Sequence, residues 1–309
     1  MNQQKTIIRF KIEPSDLVGR LDKWLADKLA KDLSRSDIKR LMEMGNISLN
    51  DLIVKPNHKV KVGDKITVTL EEKQDAQGLI AADIPIDIIF EDAYILVVNK
   101  PAGLVVHPAA GHFADTLVNA LTFYCKNLSD LNGPLKLGIV HRLDKDTSGI
   151  LIVAKDNKTH RHLASQFKKH TIDKTYIAIV QGSVNYDEGV IDVPLTRNPF
   201  NRKKMSVSHA SSRQAVTGYK VIKRAADLTL LEVYPQTGRT HQIRVHLAHL
   251  GYPIIGDSTY NKAKGIKGLI SRQALHAQTI RFKHPHTGKI VEFKAKIPED
   301  MQTVIKMLG

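Results

Sequence analysis

Apolar residues recur at helical spacing in only a few places along this chain; elsewhere they alternate or run together. In "GRLDKWLADKLAK", Leu21, Trp24, Leu25 and Leu29 form one stripe between charged faces, which predicts a helix. "LSRSDIKRLMEMG" predicts a second, with Ser34 as N-cap, Asp37 three residues on, an apolar face of Ile38, Leu41 and Met42, and Gly45 to stop it. From Ile47 the pattern shortens and alternates: "ISLN", a turn at Asn50-Asp51, "LIVK", then "HKVKVGDKITVTL" with Val60, Val62, Ile66, Val68 and Leu70 around Gly63-Asp64. These elements predict a small α+β module over residues 17–76, preceded by a strand-like arm at 1–16. Residues 77–83, in a stretch of mixed charge, Gln, Ala and Gly without period, are expected as a linker.

Beyond residue 84 the segments lengthen. "IDIIFEDAYILVVNKPAGLVVHP" predicts strand, turn, strand, Pro-Gly turn and strand, and "GIVHRLDKDTSGILIVAK" predicts strand, loop and strand. "KTHRHLASQFKKH" has helical spacing, and "KTYIAIVQG" is a strand. The expected fold over 84–309 is therefore α+β, a large, mostly antiparallel sheet with flanking helices.

Charge narrows the class of partner. The chain carries 46 Lys and Arg against 31 Asp and Glu, net +15, of which residues 1–80 hold +3 and residues 81–309 hold +12. Such an excess favours a polyanion, because cations release counterions from nucleic acid. The amino terminus lacks an apolar core with a small-residue cleavage site, and no apolar run reaches the ~18 residues of a membrane span, so the chain is expected to be cytoplasmic, without a membrane partner. Cys125 is the only cysteine, which excludes an internal disulfide and a thiolate metal cluster.

The loop "HRLDKDTSG" poses the chemical question. Asp144, Asp146, Ser148 and Gly149 match the first positions of a calcium loop, but Lys155 occupies the twelfth, where the ion needs a bidentate carboxylate, and "ILIVA" is strand-like. No phosphate-binding loop, dinucleotide fingerprint or nucleophile elbow is present. The histidines of "HQIRVHLAH" lack a nearby carboxylate or cysteine to complete a metal site. What remains is Asp144 beside Arg142, and "YPQTGRTHQIRVHLAHLGYPIIGD", where a turn at Thr237-Gly238 leads into an arginine-bearing helix.

"GRLDKWL", "SRSDIKRLMEMGNISLND" and "VKVGDKI" together resemble the alpha-L RNA-binding domain found on RNA-modifying enzymes. "VVNKPAGLVVHP", "GIVHRLDKDTSGILIVAK", "KTYIAIVQG", "GRTHQIRVHLAHLGYPIIGD" and "RQALHAQTIRFKHPHTG" resemble, in family order, the signatures of RluA-type pseudouridine synthases, and "HPAAGH" points to the RluD-like branch acting on large-subunit ribosomal RNA. The resemblance implies isomerisation of uridine to pseudouridine without cofactor or metal. It implies Asp144 as the catalytic carboxylate, either nucleophile or base, Arg244 as its ion-pair partner, Tyr176 at the base, and Arg142 as the wedge that fills the stack left by the flipped nucleotide. It also implies RNA contacts at Arg35, Lys39 and Arg40 in the small domain, and at Lys100, His107, Arg202 and Lys203 in the large one. The expected partner is large-subunit ribosomal RNA or its assembly precursor, bound by a monomer. The alternatives are the same chemistry on tRNA or another RNA, and an assembly factor or RNA chaperone in which binding outweighs catalysis.

Overall fold

The computed structural model describes residues 5–16, 19–29, 33, 35–71, 79–108, 112–201, 204–208, 213–225, 227–261 and 270–308. They belong to two compact units, Met1–Gly78 and Leu79–Gly309.

The first unit comprises β1 (Lys5–Lys11), α1 (Leu21–Lys28), α2 (Arg35–Glu43), β2 (Ile47–Leu49), β3 (Leu52–Ile53) and β4 (Lys65–Glu71), with its strands in the order β1-β4-β2-β3. The stripe predicted for α1 is buried together with Ile38 and Met42 of α2. Asn50 and Asp51 adopt φ of +48° and +65°, the left-handed pair of a tight hairpin turn between β2 and β3. "HKVKV" is not the strand its alternation predicts. Its backbone is taken up by the start of α1, where Leu21 N–H donates to His58 O and Val60 N–H donates to Gly19 O. Ser34, the expected N-cap, lies outside the described residues.

The second unit runs β5 (Asp87–Glu91), β6 (Ile95–Lys100), α3 (Leu117–Tyr124), β7 (Ser148–Ala154), α4 (Asn157–Lys168), β8 (Asp173–Gln181), β9 (Glu188–Asp192), β10 (Leu195–Arg197), β11 (Met205–Val207), β12 (Val216–Ala225), β13 (Leu228–Pro235), α5 (Gln242–His249), β14 (Leu275–Lys283), β15 (Ile290–Lys294) and α6 (Glu299–Met307). Nine strands form one sheet in the order β5-β6-β7-β14-β8-β13-β12-β9, with β15 also paired to β14. Among the described strands only β7 and β14 pair in parallel; β10 and β11 make a separate hairpin.

Two expected strands exist only as single bridges. Val105 pairs with Thr116 and Ile139 with Val153. The reason for the first is that Val105 O and Val106 O accept from Leu117 and Val118 N–H, so this backbone serves the start of α3 instead of a sheet edge. Residues 79–83, expected as linker, are held to α3: Asn119 Nδ2 donates to Ile80 O at 2.7 Å, and Ala82 N–H donates to Asn119 O at 3.1 Å. Gly149, expected in a turn, stands inside β7 with φ +118°. A Cβ there would overlap the backbone of Ala277, so glycine permits the close parallel approach of β14.

Candidate active site

The loop carrying Asp144 leads into the fully buried strand β7 and is pinned from two sides. On one side Lys145 O accepts from Gly103 N–H at 3.0 Å and from the Lys100 ammonium at 2.9 Å. On the other, Arg272 donates to Asp146 O at 3.2 Å, Gln273 Nε2 to Thr147 Oγ1 at 3.2 Å, and Ser148 Oγ pairs with His276 Nδ1 at 2.9 Å. With both flanks tied down, Asp144 is presented without being part of a strand.

Arg244 comes from the first turn of α5. That turn is anchored by Gln242, whose Nε2 donates to Val216 O and Thr217 Oγ1 while its Oε1 accepts from Thr237 Oγ1 and Arg239 N–H. The guanidinium is buried, with three of its N–H groups assigned. Nε and Nη2 donate to the two oxygens of Asp257 at 2.7 and 2.9 Å, and Nη1 donates to Asp144 Oδ2 at 3.0 Å. Burial opposes its charge, but hydrogen bonds and charge from Asp257, then from Asp144, hold the guanidinium above its ordinary range.

Asp144 and Arg244 line a cleft of about 480 Å³ with Tyr176 of β8, Arg142, Phe167, Lys168, Lys174 and the Thr237–Ile243 turn. Burial and the neighbouring Asp144 charge push the Tyr176 hydroxyl up, so it stays protonated. Arg142 is exposed and makes no ion pair among the described residues. Burial pulls Lys174 down to about 8. The structure thus brings Asp144, Arg244, Tyr176 and Arg142 to one cleft, over separations of up to 102 positions, between Arg142 and Arg244.

One expected phosphate contact needs correction. Lys100 is fully buried, with its ammonium donating to the carbonyls of Pro101, Leu104 and Lys145, so it braces the Asp144 loop and cannot meet a phosphate. His107 is half-buried, and burial with the charges of Arg142 and Lys136 pulls it down to about 4. Lys39 is exposed on α2, 3.8 Å from Glu43. Arg202 and Lys203, and the side chains of Arg35 and Arg40, lie outside the described residues.

Sequence reasoning missed Asp257, His241 and Tyr260. Asp257 is buried at the end of "GYPIIGD", where it also accepts from Thr259 and Tyr260 N–H at 2.9 and 3.1 Å. That turn sets the Tyr260 ring 5.2 Å from the Arg244 guanidinium carbon. The signal was a carboxylate in the same quoted stretch as Arg244, but spacing alone does not bring a post-helix loop back under the helix.

The site is a buried arginine pairing with a carboxylate in a cleft on a mostly antiparallel sheet. The family model described as RNA pseudouridylate synthase matches residues 94–249, and that described as S4 domain matches residues 19–66. The chain is 44% identical over 289 residues to "Uncharacterized RNA pseudouridine synthase YlyB" of Bacillus subtilis, covering 94% of each. It is 44% identical over 304 residues to "Ribosomal large subunit pseudouridine synthase D" of Zymomonas mobilis, covering 95% of each. Among solved structures, "Human RNA Pseudouridylate Synthase Domain Containing 4" aligns with a TM-score of 0.57 at 26% identity, covering 72% of this chain and 92% of that one. The chain belongs to the RNA pseudouridylate synthase family, with an S4 domain at its amino-terminal side. Its reaction is the isomerisation of uridine in RNA to pseudouridine.

Proposed function

We propose that the cleft isomerises uridines of large-subunit ribosomal RNA, with Asp144 as the carboxylate that acts at the ribose. The reaction breaks the N1–C1′ bond, turns the uracil, and forms C5–C1′, with the proton on C5 lost and one gained at N1. It consumes no oxidant and adds no atom. The observation that carries the assignment is the asymmetry of Asp144, which lines the cleft: Oδ2 takes the Arg244 N–H, while Oδ1 has no hydrogen-bond partner among the described residues. An arginine pinned by a second carboxylate pairs with one Asp144 oxygen and leaves the other uncovered. Attack on C1′ and removal of a ribose proton both need an uncovered carboxylate oxygen.

Tyr176 offers a protonated hydroxyl and a ring face to the detached uracil. Arg142, exposed at the cleft, supplies a planar cation that fits between the bases left by a flipped nucleotide. Lys39 on α2 supports a second contact to the RNA backbone through the S4 domain. The ribosomal substrate is supported by the relatives named large-subunit synthases, at 39–44% identity over most of the chain.

The test compares Asp144→Asn with wild type by mapping carbodiimide adduct stops along ribosomal RNA from cells carrying each. The expected result is loss of stops on large-subunit RNA, with RNA affinity kept because phosphate contacts dominate the interface. Stops lost from tRNA alone would move the substrate; retained stops would remove Asp144 from the chemistry.

A further inference from the structure

His241 immediately precedes α5 in the left-handed region, φ +54° and ψ +18°, a conformation a bulky side chain adopts only when its surroundings hold it. Its ring lies between two polar groups of the site. Nδ1 is 2.9 Å from the Tyr260 oxygen, and Nε2 is 3.8 Å from Asp144 Oδ2. The Tyr260 oxygen also accepts from Met205 N–H at 2.8 Å, so its own proton is free to point at Nδ1. Tyr260 keeps that proton, because burial raises its hydroxyl above the ordinary range.

The tautomer follows. Burial, followed by the charges of Arg244 and Arg142, opposes protonation of His241 against the pull of Asp144 and Asp257, and its value is lowered. A neutral imidazole carries one ring proton. With Nδ1 accepting from Tyr260, that proton sits on Nε2, the nitrogen facing Asp144. Yet 3.8 Å is beyond a hydrogen bond, and Oδ2 is already taken by Arg244 at 3.0 Å. Nε2–H is thus a donor beside the carboxylate that makes no hydrogen bond among the described residues.

The sugar supplies the acceptor. If Asp144 acts at C1′ or on a ribose proton, a donor 3.8 Å from its carboxylate is within reach of the sugar atoms around C1′, and the hydroxyl on the adjoining carbon is O2′. We propose that His241 is a substrate-contacting residue whose Nε2–H donates to the 2′-hydroxyl oxygen of the target nucleotide, with Tyr260 fixing the tautomer and the Asp257 turn fixing Tyr260. It distinguishes RNA from DNA at the reacting nucleotide itself, since only ribose carries that oxygen. The inference rests on Asp144 acting at the ribose.

The test is a double cycle in single turnover. Wild type, His241→Asn and Tyr260→Phe are each given an RNA oligonucleotide spanning a uridine the enzyme isomerises, and the same oligonucleotide with 2′-deoxyuridine at that one position. Asparagine accepts the left-handed backbone but cannot reach with a donor where Nε2 stood. Removing one neutral hydrogen bond costs about tenfold, so wild type is expected to slow about tenfold on the deoxy substrate and His241→Asn to slow about tenfold on the ribose one. The deciding figure is the cycle: the deoxy substitution should cost His241→Asn nothing further, and Tyr260→Phe only part of the wild-type penalty. Penalties that simply multiply, or a wild type indifferent to the 2′-oxygen, overturn the proposal. Asp144→Asn run alongside separates the two failures, because full activity in that variant removes the underlying reading and not only the role of His241.

Discussion

Arg244 gives Asp257 two of its N–H groups and Asp144 one, so a fully buried carboxylate sets the direction in which the guanidinium faces Asp144. Asp257→Asn removes the charge and one acceptor oxygen and leaves Arg244 free to turn fully onto Asp144, covering both its oxygens. We expect kcat to fall by roughly 10- to 100-fold with KM for RNA little changed, since Asp257 touches no phosphate. Breaking a buried pair destabilises by about 3 kcal/mol, so thermal melting of the variant should fall as well. An unchanged kcat would mean that Asp144 needs no oriented partner.

Lys100 links stability to pH. Burial pulls its ammonium from an ordinary 10.5 to about 7 in the folded protein, against the pull of Asp146 and Asp144. Between about 7 and 10.5 the unfolded chain therefore binds more protons than the folded one at this group, and its contribution makes stability rise with pH across that window. Lys100→Met should flatten the rise in chemical-denaturation midpoint between pH 7 and 10. It should also slow catalysis, because Lys145 O keeps only the Gly103 N–H of the two donors that hold the Asp144 loop.

Arg142 is expected to matter in proportion to how firmly the target base is stacked. Extrusion from a folded RNA costs a few kcal/mol, whereas an unstructured strand needs little of it. Arg142→Ala should therefore lose about tenfold or more on a structured RNA and much less on a short single-stranded oligonucleotide with the same uridine. Equal losses on both would assign Arg142 to general phosphate binding.

Lys39 makes one weak exposed pair with Glu43 and is available to a phosphate. Lys39→Ala should weaken RNA binding at low salt and lower the slope of log affinity against log salt by about 1. Single-turnover rates at saturating RNA should stay at the wild-type value. A slope identical to wild type would place the RNA path elsewhere on the small domain.

Much of this protein follows from local pattern. The α1 stripe, the Asn50-Asp51 turn and the apolar run of β7 are decided by side chains a few residues apart, and their elements form where the spacing predicts. The family is legible too, because its motifs are short and ordered along the chain. What sequence alone could not determine is where long-range backbone and buried charge end up. "GLVVHP" has the composition of a strand, but its carbonyls are claimed by the start of α3. Lys100 looks like a phosphate ligand until the fold surrounds it with three carbonyls. Asp257 and Tyr260 gain their meaning only when the loop after α5 folds back beneath Arg244 and brings a carboxylate and a phenol to groups 13 and 19 residues away. Hydrophobic period is a local property, but the pairing of a buried charge is settled by desolvation, which forces each such group to find its partner wherever the packed chain puts one.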